Sequence, residues 1–101
     1  MSAEKEAAYL SEIVSIVRDA LPDTRYRLYL FGSRATGRAT EASDFDIAVR
    51  AEVPIDRGLS VARERLEAST IPLKVDLVDL TMAGDTLIRE VEGEGILLWT
   101  N

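Results

Sequence analysis

Tyr26-Arg27-Leu28-Tyr29-Leu30-Phe31-Gly32-Ser33, followed after a ten-residue gap by Asp44-Phe45-Asp46-Ile47-Ala48-Val49, sets the architecture of this 101-residue chain. The first six residues are rich in aromatic and apolar side chains in the manner of a strand, Gly32 breaks the run, and Ser33 is placed to cap a following helical turn. A strand that runs into Gly-Ser leaves unpaired backbone N–H groups at a helix start, and phosphate oxygens are their natural partners. Beyond the gap, Phe45, Ile47 and Val49 alternate with Asp44, Asp46 and Ala48. Residues two apart in a strand point the same way at a separation of about 6.6 Å. Asp44 and Asp46 therefore reach one cation site. A phosphate-binding turn beside paired carboxylates points to phosphoryl or nucleotidyl transfer.

Working outward, Ala3, Ala7, Leu10, Val14, Val17 and Leu21 recur at threes and fours, which predicts an amphipathic helix over residues 3–20 that Pro22 helps to end. Asp56 is placed to cap a second long helix that runs to about Glu67, with Leu59, Val61, Ala62 and Leu66 inward. Its charges, Arg57, Arg63, Glu64, Arg65 and Glu67, read as a solvated face. Leu73 to Leu80 reads as a third strand, and its Val and Leu content predicts a central position covered on both faces. A short helix from about Gly84 to Glu92, ended by Gly93, and a closing strand at Ile96-Leu97-Leu98-Trp99 complete the chain. Trp99 is expected to pack on the sheet. The fold class is α/β or α+β: a mixed sheet of about four strands flanked by helices, in a single domain over residues 1–101.

The composition removes much alternative chemistry. The chain has no cysteine and no histidine. Disulfides, thiolate catalysis, Ser-His-Asp triads and imidazole-ligated zinc are therefore excluded, and carboxylates, hard metals, hydroxyls, lysine and arginine remain. Lys and Arg number 12 against 18 Asp and Glu, a formal net charge of −6, which argues against stable tracking of a nucleic acid backbone. No apolar run approaches the roughly 20 residues of a membrane span, and the start Ser2-Ala3-Glu4-Lys5-Glu6 does not read as a signal peptide. A cytoplasmic protein is the expectation.

Gly32-Ser33, Arg34, Gly37, Ser43-Asp44-Phe45-Asp46 and Val75-Asp76-Leu77-Val78 together resemble the signature of the DNA polymerase β-like nucleotidyltransferase superfamily, and in particular its minimal nucleotidyltransferase (MNT) proteins. The resemblance covers nearly the whole chain, including Glu94-Gly95-Ile96-Leu97-Leu98. It implies that Gly32 and Ser33 hold nucleotide phosphates, with Arg34 beside them. It also implies that Asp44, Asp46 and Asp76 bind magnesium, as two ions, with ATP as substrate. Asp76 stays open between metal ligand, base for the acceptor hydroxyl, or both. Family members of this length are often antitoxins that silence a HEPN ribonuclease toxin by transferring AMP to one of its tyrosines, so a HEPN-type partner is implied too. Self-association stays open.

The residue types suit that chemistry on their own account. Three carboxylates within about 4 Å of one another repel by about 4 kcal/mol per pair at an effective dielectric of 20, and a divalent cation turns that repulsion into a site. Arg34 and Arg38 read equally as phosphate contacts or as surface charges on a short exposed helix. Asp79 lies three residues after Asp76, on the opposite strand face, and reads as a loop or cap residue. Two other functions compete with AMP transfer to a protein. One is a module that neutralises its partner by occlusion; the other is nucleotidyl transfer to a small molecule, for which no acceptor-positioning domain is evident.

Overall fold

A computed structural model describes residues 1–101. The elements follow as α1 (Ala3–Ala20), β1 (Tyr26–Phe31), α2 (Ser33–Thr36), β2 (Phe45–Ala51), α3 (Asp56–Glu67), β3 (Val75–Asp79), α4 (Asp85–Glu94) and β4 (Ile96–Thr100). Local chemistry explains most of the boundaries. The Ser2 hydroxyl accepts from the Lys5 N–H at 3.1 Å and starts α1, with Glu4 and Glu6 in the first turn where the helix dipole favours acid. Extended backbone at Leu21, just before Pro22, stops it.

The four strands form one mixed sheet in the order β3-β2-β1-β4. β1 pairs antiparallel with β2 and with β4, and β2 pairs parallel with β3. One face buries Leu28, Leu30, Phe45, Ile47, Val49 and Leu77 against Ile13 and Val17 of α1 and Leu59, Ala62 and Leu66 of α3. Each of the larger side chains withdrawn from water stabilises the fold by about 1.5–3 kcal/mol, before chain entropy is set against it. The other face is thinner: Tyr29, Ala48, Leu80 and Val91 meet with Leu87 and Ile88 of α4. Alternate residues of the two central strands thus enter different cores, as period-two geometry requires.

The last strand is tied to the rest of the chain at its end by two sets of contacts. Arg18 lies over the Trp99 ring, 3.5 Å from its centroid, and the Asn101 amide accepts from Tyr26 N–H at 3.0 Å while donating to Thr24 O at 2.7 Å. Trp99 packs against the sheet, as its sequence position suggested.

Three expectations change. β3 is an edge strand, and only Leu77 within it is buried; the apolar density around it comes from Leu73 and Leu80, which pack from the flanking loops. α4 runs past Gly93, where a side chain would meet open space, to a cap at Gly95 whose N–H bonds Val91 O at 2.8 Å. A Cβ at Gly95 would press on Val91 O and on Leu30 O at 3.2 Å, so the backbone approaches β1 here only because the side chain is missing. Asp56 is the first residue of α3; the cap position is Ile55, which offers no side-chain bond.

Candidate active site

The sheet register places Phe31 opposite Asp46 and Asp46 beside Asp76, so one row crosses three strands. Neighbouring strands are about 4.8 Å apart, which brings the last residue of β1 and the two aspartates into one short span. Asp44 sits in the loop just before β2, one residue outside the strand that the alternation predicted. Gly32 follows Phe31 with φ 73° and ψ −156°, a region open to glycine and strained for any other residue. A Cβ on Gly32 would collide with the Asp46 carboxylate, lying 3.1 Å from its Cγ and closer still to Oδ2. Gly32 is therefore packed directly against Asp46 rather than merely near it in sequence.

The electrostatics converge on Asp46. Burial holds its carboxyl above the usual aspartate range, the charges of Asp76 and then Asp44 push it further up, and Lys74 pulls it back. Lys74 Nζ lies 3.5 Å from Asp76 Oδ1, and both side chains are substantially exposed. No three carboxylates are gathered tightly enough to form a closed cation cluster in the protein alone. That departs from the expected convergence within about 4 Å, and Asp76 has Lys74 as its ion-pair partner. The donor set nevertheless fits Mg²⁺ in kind. It consists of hard carboxylate oxygens, and their mutual charge raises Asp46, a penalty that a cation removes.

Beside the row, Phe31, Gly32, Ser33, Thr36 and Arg38 form a groove of about 210 Å³ whose opposite wall is Glu90 and Glu94 of α4. Arg38, Glu90 and Glu94 take part in none of the chain's ion pairs. The two glutamates were not singled out from the sequence. They stand one helical turn apart on α4, and nothing in the local sequence tells which side of the sheet that helix covers. A larger hollow of about 520 Å³ lies at the far end of the sheet, around Arg25, Arg27 and Arg50, away from the aspartates.

Arg34 departs from its expected place. It is 8% exposed, and its guanidinium bonds Glu6 Oε2 at 3.0 Å and Ser43 O at 3.0 and 2.7 Å while stacking 4.4 Å above Phe45. All three of its guanidinium nitrogens are engaged within the protein. It fixes the residue before Asp44 to α1 and so positions the loop that delivers the carboxylate. Asp79 behaves as a turn cap, accepting from Thr81 N–H at 2.8 Å.

Known proteins resemble the chain in both sequence and shape. The family model described as "Polymerase beta, Nucleotidyltransferase" matches residues 25–101. The protein adenylyltransferase MntA of Shewanella oneidensis is 38% identical over 92 residues, covering 88% of this chain. The matched region spans 63% of that relative's length. A crystal structure of a toxin-antitoxin with AMP-PNP superposes with a TM-score of 0.76 at 35% identity, over 91% of this chain and 73% of the other. A structure of tri-AMPylated Shewanella oneidensis HEPN toxin in complex with MNT antitoxin superposes with a TM-score of 0.68 at 32% identity, over 91% and 70% of the two chains.

Proposed function

The chain belongs to the polymerase beta nucleotidyltransferase family, and on that premise we propose that it transfers AMP from ATP to a tyrosine hydroxyl of a HEPN-type toxin and so acts as its antitoxin. The observation that carries this reading is the contact of Gly32 with the Asp46 carboxylate in the Phe31–Asp46–Asp76 row, which joins a phosphate-binding turn to the carboxylates. The named activity of the Shewanella oneidensis relative and the AMPylated toxin seen beside the MNT antitoxin support the same reading.

In this mechanism the free N–H groups and hydroxyl of the Gly32–Ser33 turn receive the β- and γ-phosphates, and Arg38 adds positive charge at the groove rim. Asp44, Asp46 and Asp76 would hold Mg²⁺, which when bound supplies charge neutralisation at the α-phosphate and the departing pyrophosphate. Asp76, at the outer end of the row, takes the proton of the incoming tyrosine. The phenol suits the step because its pKa of about 10 lies well below that of an aliphatic alcohol. The phenolic oxygen forms a bond to the α-phosphorus, the bond to the β-phosphate oxygen breaks, and pyrophosphate leaves on the Gly32–Ser33 side.

Incubation with a HEPN-type toxin, ATP and Mg²⁺, followed by intact-mass measurement, tests the reading. The toxin should gain one or more AMP masses with the parent chain and none with Asp46→Ala. Inhibition of the toxin without added mass would replace the enzyme with an occluding module.

A further inference from the structure

Asp76 borders a second groove, of about 350 Å³, on the side of the row away from Gly32–Ser33. Its walls are the exposed edge of β3, the C-terminal turn of α3 and the loop between them, and its apolar lining comes from Leu66, Ile71, Leu73, Val75 and Leu77. Arg63, Glu67 and Lys74 mark its rim. β3 pairs only with β2, so this side of the strand carries unpaired backbone groups. One of them is already answered: Arg63 donates to Leu77 O, at 2.8 Å from its terminal nitrogen and 3.3 Å from Nε. The sequence suggested only a solvated charge at Arg63.

We propose that this groove and the strand edge beside it dock the acceptor: an extended segment of a protein that lies along the β3 edge, its apolar side chains entering the groove on the α3 face while its tyrosine, on the alternate face, presents its hydroxyl to Asp76. The inference rests on the nucleotidyl-transfer reading and adds where the second substrate enters. Two features favour that occupant. In-line displacement at phosphorus requires nucleophile and leaving group on opposite sides, and the row Phe31–Asp46–Asp76 has the phosphate groove at one end and this groove at the other. The two grooves also differ in chemistry. The first is lined by Arg38, Glu90 and Glu94, with Phe31 its one apolar wall. The second offers five apolar side chains beside an open strand edge, the combination that binds an extended peptide through its backbone and alternate side chains. A small polar acceptor would leave that apolar lining unused.

Amide chemical-shift mapping of the ¹⁵N-labelled chain, with AMP-PNP and Mg²⁺ present, tests the proposal. The probe is a synthetic tyrosine peptide with valine and leucine neighbours; its control carries serines instead. The apolar peptide should shift Leu66, Ile71, Leu73 and Val75, and the serine peptide should not. Leu73→Glu should weaken peptide binding by about tenfold, the loss expected for one buried aliphatic contact. Val75→Thr, isosteric and strand-forming, gives a smaller loss where Leu73→Glu disturbs the fold. Shifts confined to β4, no shifts at all, or unchanged affinity in both variants would overturn the groove assignment. Nucleotide shifts at Gly32 and Ser33 are read separately. Their loss with the peptide still in the groove would refute the transferase reading and leave the docking surface standing.

Discussion

Gly32 and Asp46 occupy what is nearly a single volume: a methyl group on the glycine would stand where the aspartate carboxylate now lies. Turn and carboxylate are thus one mechanical unit, although they come from different strands. Replacing Gly32 by Ala or Val should therefore disable the aspartate as well as the turn. The expected cost is about 1–3 kcal/mol of stability from the backbone strain and a loss of transfer of at least about 100-fold. Gly93→Ala, at an open helical position, should instead stabilise by about 0.5–1 kcal/mol. Thermal melts and transfer rates on the two variants make the comparison. Gly32→Val should also impair ATP binding more than Arg38→Ala.

Protonation of Asp46 gives a pH signature with a defined sign. Its folded-state pKa is raised by burial and by Asp76 and Asp44, so between the ordinary aspartate value and the raised one the folded state binds more protons than the unfolded chain. Stability contributed by this group therefore falls as pH rises through that window. Asp46→Asn should be more stable than the parent above the window, and the difference should vanish below it. Mg²⁺ should raise the melting temperature of the parent and not of Asp46→Asn. Melts across pH with and without the ion report both effects.

Arg34 should prove a positioning residue. Arg34→Ala removes charged hydrogen bonds to Glu6 and Ser43 O and should cost about 2 kcal/mol. Transfer should fall with ATP affinity little changed, because the loop carrying Asp44 loosens while the phosphate groove stays intact. Arg34→Lys should rescue only in part, since an ammonium does not reproduce the fork. A split between kcat and the KM for ATP is the discriminating measurement.

Glu90 and Glu94 face the groove of Gly32 and Ser33. Glu90→Gln and Glu94→Gln should each tighten ATP binding by about two- to fivefold at low salt through relief of repulsion, with the gain shrinking as ionic strength rises. Titration calorimetry at two salt concentrations checks it. Unchanged affinity at both would show that the phosphates lie out of reach of α4.

What the sequence disclosed and what it hid divide along physical lines. The 3.6-residue spacing of Val14, Val17 and Leu21 and the alternation at Phe45, Ile47 and Val49 are local, so α1 and β2 fall within a residue or two of expectation. Asp76 entered the expected site only through the family resemblance, and its place beside Asp46 became visible once β2 and β3 were paired. Strand order carries no local mark, and β3 was therefore misplaced at the centre of the sheet. Arg34 looked exposed because its partner Glu6 is 28 residues away on another helix. The glutamates of α4 and the Leu77 carbonyl held by Arg63 belong to the same class: contacts that exist only once helices have settled on the sheet.

β4 lies beside β1, yet most of the chain separates the two strands, and the Asn101 side chain fastens the junction at Thr24 and Tyr26. A ribosome delivers β1 long before Ile96–Thr100 exists, so a nascent chain must hold one strand edge open throughout elongation. That interval is when the chain is most exposed to misassociation. Trp99, the single tryptophan, sits on the arriving strand under Arg18, and its emission therefore timestamps the closing event.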